Sequence, residues 1–299
     1  MLARRTDLAL EARELWQESA AKTTELSGVR AREYRRGGCA VTHVEILDEQ
    51  GAQALGKPCG RYVTVELTGF ARHDEQVFES AVNAVAEELR AMLPIEEGEG
   101  ALVVGLGNRE ITPDAVGTHA VANTMVTNHL VERMPEMFGA LRQVAAITPG
   151  VLGTTGIESA EIIRAVAERI KPACVIAVDA LASRSLSRLC TTVQIADTGI
   201  VPGSGVGNAR ALIDRETLGV PVIALGVPTV VDAGTLALDL MEKAGISGAD
   251  GGMFEDSSLM VTPREIDTHV AEIAKVIGYA INLCMHRGIT IADVTGFLS

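Results

Sequence analysis

The chain has 299 residues, 47% of them hydrophobic, which is enough to bury a substantial core and excludes large-scale disorder. Its formal net charge of −13 argues against a nucleic-acid partner, because phosphate binding needs clustered Lys and Arg. The five cysteines are scattered and form no CxxC pair, and no apolar run reaches the roughly 18 residues of a membrane span, so the sequence predicts a soluble, intracellular protein with reduced thiols.

The first hundred residues predict a helix, an antiparallel strand pair and a second helix. Apolar residues recur at helical spacing over residues 8–19, whereas the basic stretch 30–36 is interpreted as a solvated surface segment. Residues 41–47 and 61–67 have the β-branched content of strands and are joined by a turn-rich segment. Residues 74–93 carry their apolar side chains on one helical face. The strand pair predicts a small additional β element near the N-terminus.

From residue 101 onward, short apolar strands alternate with helices. The predicted strands are residues 101–107, 144–148, 174–179 and 220–227, with 191–196 as an extra edge strand. The predicted helices are residues 113–134, 159–170 and 230–244. Continuous apolar strands separated by helices are typical of a parallel sheet covered on both faces. The sequence therefore predicts an α/β fold with a mostly parallel central sheet flanked by helices on both faces.

The last part of the chain predicts a surface loop followed by a long helix. Glycines and acidic residues dominate residues 245–258, as in a surface loop. Thr262 opens a Thr-Pro-Arg-Glu segment of capping-box form. This segment predicts the start of an apolar helix that ends near Cys284.

Two aspartates follow predicted strands of the parallel sheet. Asp179 ends the strand CVIAVD, and Asp114 follows the strand ALVVGLG in a Thr-Pro-Asp helix start with Thr112 as the predicted N-cap. In open parallel sheets, reactive groups collect outside the carboxyl ends of the strands. We therefore expect Asp114 and Asp179 to face one cleft.

Two carboxyl groups a few ångström apart cannot easily both ionise, so such a pair tends to hold one proton. The ionised member can take a proton from water while the protonated member polarises a carbonyl group, which is acid-type peptide hydrolysis without a metal. Because a helix N-terminus favours a carboxylate, the position of Asp114 indicates the base and leaves Asp179 as the acid.

Two alternatives stay open at this point. Asp114 and Asp179, with Asp197 or Asp232 as a further member, could bind a metal ion in a metal-dependent peptidase. Both aspartates could instead be structural caps in a non-catalytic binding protein.

Other catalytic signatures are absent from the sequence. It contains no HExxH, no GxSxG and no phosphate-binding GxxxxGKS or GxxxxGKT motif. The glycine-rich residues 203–208 lack the GxGxxG spacing and predict a tight loop or anion-binding nest near the cleft. His119 and His129 lie ten residues apart and make a poor metal pair. No cofactor is expected.

Six motifs, in order along the chain, resemble the germination proteases of spore-forming bacteria. They are GLGNREITPDAVG, TPGVLGTTGIES, VIAVDALASRS, DTGIVPGSGVGN, GVPVIALGVPTVVDA and LMVTPREID. The resemblance also includes RTDLALEA and GRYVTVEL, so it covers nearly the whole chain. It implies an aspartic-type endopeptidase that degrades small acid-soluble spore proteins during germination, with Asp114 and Asp179 as the catalytic pair. The implied fold is similar to that of hydrogenase-maturation endopeptidases, where acidic residues at comparable places bind nickel.

The resemblance further implies a zymogen that cuts itself between Asp7 and Leu8, within RTDLALEA. Residues 1–7 would then be a propeptide and residues 8–299 a single α/β peptidase domain. The family resemblance implies a tetramer in the cytoplasm of the spore core, with no direct nucleic-acid or membrane contact. The segment TDLALE resembles the acid-containing sites that the family cuts in its substrates. Both the propeptide and the 245–258 connection are shorter than is usual in the family.

Overall fold

The structure is a computed structural model that describes residues 5–19, 26–67, 75–245 and 259–299. Its helices are α1 Ala9–Ser19, α2 Glu49–Leu55, α3 Glu75–Met92, α4 Val116–Ala122, α5 Asn128–Arg133, α6 Pro135–Phe138, α7 Leu152–Thr155, α8 Ser159–Ile170, α9 Arg215–Leu218, α10 Ala233–Lys243, α11 Ile266–Met285 and α12 Ile291–Leu298. Its strands are β1 Val29–Arg36, β2 Cys39–Ile46, β3 Gly60–Glu66, β4 Ala101–Gly105, β5 Val144–Ile147, β6 Cys174–Ser183, β7 Thr192–Ala196, β8 Val222–Asp232 and β9 Met260–Val261. Within these ranges, no helix is long and apolar enough to cross a membrane.

One sheet joins all of these strands in the order β1-β2-β3-β7-β8-β6-β4-β5, with β9 paired to the end of β8. Strands β8, β6, β4 and β5 run parallel to one another, as the alternation of strands and helices predicts. Strands β1, β2, β3 and β7 are antiparallel, and β7 is also antiparallel to β8. The predicted α/β fold is confirmed, with a sheet that is mixed because the N-terminal strands extend its parallel half.

Helices cover both faces of the parallel half. Along β4, Val103 joins the core under α3, α4 and α11, whereas Leu102 and Val104 join the core under α8. This alternation follows from the two-residue period of a strand, which points successive side chains to opposite faces. A smaller cluster packs Ala9 of α1 against β2 and β3. Continuous apolar strands are therefore needed here, since neither face is exposed to water.

Several predicted elements differ in extent. The helix predicted over residues 113–134 is divided into a single 3₁₀ turn, α4 and α5. It is interrupted after α4, where Asn282 of α11 accepts a hydrogen bond from the Met125 N–H. Strand β6 extends beyond Asp179 to Ser183, because β8 extends beside it and pairs Val230 with Ala182. The helix predicted from residue 230 therefore begins only at Ala233.

Other predictions differ in part. The basic segment 30–36 lies on the surface as predicted, with Arg30, Arg32 and Arg35 exposed, but forms the edge strand β1. Strand β7 lies inside the sheet between β3 and β8 instead of at its edge. Thr262 does not cap α11, because its hydroxyl donates to the Thr229 carbonyl group and the helix begins at Ile266. Helix α12 was not predicted. Of the predicted loop 245–258, residues 246–258 lie outside the described residues.

Candidate active site

Asp179 lies within β6, between the carboxyl end of β4 and the middle of β8. The parallel register pairs Val178 with Gly105 on one side and Asp179 with Gly226 on the other. The side chain is 3% exposed, and its Oδ1 accepts a hydrogen bond from the Ala180 N–H at 2.9 Å. Asp179 is therefore a nearly buried carboxyl group on a rigid strand.

Asp114 lies in the loop that follows β4, at the end of the 3₁₀ turn Thr112–Asp114. Its Oδ2 accepts a hydrogen bond from the Asn108 N–H at 2.7 Å, which folds the loop back on itself. Gly107 makes this fold possible, because it has φ of +92° and a Cβ there would lie 1.9 Å from the Asp114 carbonyl oxygen. The prediction of Thr112 as N-cap is wrong, since Thr112 lies inside the turn and no side chain caps it.

One cavity of about 470 Å³ brings Asp114 and Asp179 together. It lies beyond the end of β4 and along the last part of β6, near the edge where the sequence predicts a cleft. Other parts of its wall come from the segments after β4, β5 and β7, including Asn108, Leu152, Glu158 and Arg210, and from Leu181 within β6. The arrangement provides room for an extended peptide segment beside two carboxyl groups.

Burial raises the pKa of both carboxyl groups. The pKa of Asp179 lies well above its ordinary value because the group is buried, and the negative charges of Asp114 and Asp7 raise it further, while the Ala180 N–H lowers it. Burial also raises the pKa of Asp114, against a lowering by the Asn108 N–H. The expected stabilisation of ionised Asp114 by a helix N-terminus is thus outweighed by desolvation. A pair of this kind can retain a proton at pH values where an exposed aspartate has lost it.

The other acidic residues considered from sequence do not join this pair. Asp197 binds Arg61, whose N–H and Nε–H donate to it at 2.8 and 2.7 Å. Asp232 caps α10 by accepting from the Thr235 N–H at 2.8 Å. Across the described ranges, no group of three or more His, Cys, Asp and Glu side chains could hold a metal ion. His119 and His129 lie on different helices, α4 and α5.

The glycine-rich residues 203–208 form part of the cavity wall, as their sequence predicts. The Ser204 hydroxyl donates to Asp7 Oδ1 at 3.2 Å, and the Ala182 N–H donates to Asp7 Oδ2 at 2.8 Å. Gly205 has no room for a side chain, since a Cβ would lie 2.0 Å from Asp7 Oδ2. The Asp7 carboxyl group therefore lies against this loop, which donates to it through the Ser204 hydroxyl group.

Gln194 of β7 holds the backbone on both sides of Leu8. Its Nε2 donates to the Asp7 carbonyl oxygen at 3.1 Å, and its Oε1 accepts from the Ala9 N–H at 2.7 Å. The Asp7 N–H also donates to the Ala182 carbonyl oxygen at 2.9 Å, and Leu8 is fully buried. Gln194 was not predicted as a functional residue, since its signal in the sequence is one polar residue in the otherwise apolar core of TVQIA. The Asp7–Leu8 bond is therefore bound next to the cavity wall.

Comparisons with known proteins agree with the sequence motifs. A family model described as "Germination protease" matches residues 9–243. The germination protease of Caldanaerobacter subterraneus subsp. tengcongensis is 45% identical over 325 residues, covering 100% of this chain and 99% of the relative. That of Clostridium tetani is 42% identical over 322 residues, covering 99% of each chain. That of Bacillus subtilis (strain 168) is 38% identical over 347 residues, covering 96% of this chain and 94% of the relative.

Among solved structures, the NiFe hydrogenase maturation protease HycI from Thermococcus kodakarensis KOD1 is 17% identical, with a TM-score of 0.36, covering 65% of this chain and 98% of that chain. The family assignment depends on the sequence relatives, which match nearly the full length of the chain. The family model and these relatives together show that the chain belongs to the germination protease family and is a protease.

Proposed function

We propose that this protein is an endopeptidase that cleaves small acid-soluble spore proteins during germination, by an aspartic-type mechanism that uses Asp114 and Asp179. The observation that carries the proposal is the shared cavity of two carboxyl groups whose pKa values are both raised by burial. Membership of the germination protease family supports a protein substrate and a role in germination.

In this mechanism the pair holds one proton, and Asp179, the more deeply buried member, carries it. Asp179 donates a hydrogen bond to the carbonyl oxygen of the scissile peptide. Ionised Asp114 takes a proton from water as the water oxygen adds to the carbonyl carbon, and the Asp179 proton passes to the carbonyl oxygen. The intermediate then breaks its C–N bond, the leaving nitrogen receives the proton held by Asp114, and Asp179 regains a proton from the new carboxyl group. The two carboxyl groups titrate as a unit, so these roles describe one state of the pair.

A metal-dependent maturation-type peptidase, the alternative for the same acidic cleft, would use Asp114 and Asp179 as ligands. Catalytic metal sites commonly have three protein ligands. In the part of the chain that the structure describes, no third His, Cys, Asp or Glu completes such a set. The raised pKa of Asp179 also disfavours the ionised form that a metal ligand requires. The donor set does not fit a metal ion, and no step of the mechanism uses one.

The proposal includes synthesis as a zymogen whose residues 1–7 are removed by a cut between Asp7 and Leu8. The position of Asp7 supports it, because Ala182 and Gly205 both contact the Asp7 carboxylate and line the cavity. Residues 8–299 would then be the peptidase domain. The family resemblance is the support for assembly as a tetramer in the spore-core cytoplasm.

The first test is incubation of the purified protein with a small acid-soluble spore protein. We expect Asp114→Asn and Asp179→Asn each to lower the cleavage rate by about 100-fold or more, because each removes a proton-transfer group. Asp197→Asn is the matched control, since Asp197 pairs with Arg61 instead of lining the cavity. Retained cleavage in both active-site variants would contradict the carboxyl mechanism, and cleavage abolished by a chelator would favour the metal-dependent alternative. Mass spectrometry of the wild-type sample should find Leu8 as the first residue, and active wild-type enzyme that keeps residues 1–7 would contradict the processing step.

A further inference from the structure

The Glu11 carboxylate is fully buried and receives donors from three parts of the chain. Its Oε2 accepts from the Thr6 hydroxyl at 2.5 Å and from the Arg184 N–H at 2.6 Å. Its Oε1 accepts from the Ser185 N–H and from Arg188 Nη1, both at 3.1 Å. Glu11 therefore joins the N-terminal segment to the residues that follow β6.

Thr6 connects Glu11 to the bond that we propose is cut. The Thr6 hydroxyl accepts a hydrogen bond from the Leu8 N–H at 3.1 Å while it donates to Glu11. Only this hydroxyl group separates the Leu8 nitrogen from the carboxylate. The nitrogen is also held in place, because Leu8 is fully buried and Gln194 binds the next amide, that of Ala9.

Hydrolysis of the Asp7–Leu8 bond changes both the charge and the partners at this point. Addition of water breaks the C–N bond. It leaves a new main-chain carboxylate on Asp7 and an ammonium group on Leu8. Thr6 departs with residues 1–7, so Glu11 Oε2 loses a donor. Cleavage thus removes the neutral Thr6 hydroxyl group that lies between Glu11 and the Leu8 nitrogen. It also converts that nitrogen into a cation.

The surrounding charges favour a further cation. Arg188 is shared by three carboxylates, those of Glu11, Glu14 and Glu66, at 3.1, 2.7 and 3.4 Å. Burial lowers the pKa of Lys57, and this effect outweighs the raising of its pKa by the negative charges of Asp7 and Glu11. The acidic side chains therefore outnumber the cations in this cluster. A buried ammonium group without a partner would be strongly destabilising, whereas one beside Glu11 is paired.

We propose that Glu11 is the binding site for the amino terminus that cleavage creates, with the Leu8 ammonium group replacing the Thr6 hydroxyl group in an ion pair. This inference rests on the proposed cut between Asp7 and Leu8. The ion pair keeps Glu11 attached to Arg184 and Ser185 after the propeptide leaves. Departure of Asp7 meanwhile frees the Ala182 N–H at the cavity wall. Cleavage then opens the cavity wall without loosening the end of the strand that carries Asp179.

The test is the rate at which acetic anhydride modifies the Leu8 amino group of processed enzyme at neutral pH, followed by mass spectrometry. In the wild type we expect modification about tenfold or more slower than in the urea-unfolded chain, because an ion-paired ammonium group is not nucleophilic. Glu11→Gln should raise the rate toward that of the unfolded chain. Glu14→Gln is the matched control, since Glu14 binds the same Arg188 without contacting Thr6. An equal rate in the wild type and Glu11→Gln would mean that packing alone protects the amine, and would overturn the proposal.

A second measurement needs only wild-type enzyme and covers the case in which Glu11→Gln does not fold. The pH dependence of the labelling rate gives the pKa of the Leu8 amino group, which an ion pair raises above the ordinary range of about 7.7–8.0. A value within or below that range would contradict the ion pair.

If the wild type keeps residues 1–7, self-processing is wrong. A chain with Ile-Glu-Gly-Arg in place of residues 4–7, cut by factor Xa to begin at Leu8, then gives the same labelling test of Glu11.

Discussion

The carboxyl groups of Asp114 and Asp179 are the side chains on which the proposed chemistry depends. The sequence locates both side chains because each follows or ends a predicted strand of the parallel sheet, although β6 itself continues past Asp179 to Ser183. The sequence does not predict the rise in the pKa of Asp114, since the depth of its burial depends on a loop that folds back through Gly107. The residue type and strand position are visible in sequence, whereas the desolvation of a side chain is a property of the packed structure.

The raised pKa of Asp179 predicts how stability changes with pH. The Asp179 carboxyl group keeps its proton in the folded protein at pH values where the unfolded chain has lost it. Because the folded state then binds more protons, the free energy of unfolding falls as pH rises above the ordinary Asp pKa. Asp179→Asn removes this contribution, and we expect the variant to lose less stability than the wild type between about pH 4 and pH 7. Urea unfolding at both pH values measures the difference. Asp197→Asn is the control. If the wild type and Asp179→Asn lose the same free energy of unfolding between the two pH values, the prediction is contradicted.

At the scale of elements, β6, β7 and the N-terminal segment together determine where the Asp7–Leu8 bond lies. The sequence predicts β6 and β7 correctly as strands but ends β6 four residues early, because its extension is stabilised by pairing with β8 instead of by local pattern. Gln194 was missed for a related reason. Its two partners, Asp7 and Ala9, are 187 and 185 residues away in the chain.

Gln194→Leu should release the N-terminal segment. The substitution leaves the Asp7 carbonyl group and the buried Ala9 N–H without their partner, and an unsatisfied buried group of this kind costs about 1–3 kcal/mol. We expect trypsin to cut after the exposed Arg5 several-fold faster, measured in the Asp179→Asn background so that self-cleavage does not interfere. Gln53→Leu on α2 is the control, since its side chain is exposed. An unchanged rate of trypsin cleavage would show that other contacts hold the segment.

At the scale of the whole molecule, the mixed sheet connects a parallel half that carries the cavity to an antiparallel half that begins near the N-terminus. The parallel half follows from apolar strands that alternate with helices. The continuity of the two halves depends on the pairing of β3 with β7, which are far apart in sequence and carry no local signal of their partnership. This connection explains how residues 7–9 bind both β7 and β6, so that the charge of Asp7 affects the pKa of Asp179 in the parallel half.

The pH dependence of kcat/KM on a small acid-soluble spore protein, measured in the processed wild-type enzyme, tests the two-carboxyl mechanism most directly. We predict a bell-shaped profile, because activity requires one ionised and one protonated member of the Asp114 and Asp179 pair. Since burial raises the pKa of both groups, both limbs should lie above the ordinary range of an aspartate. A profile that stays flat from about pH 4 to pH 9 would contradict catalysis by a carboxyl pair that shares one proton.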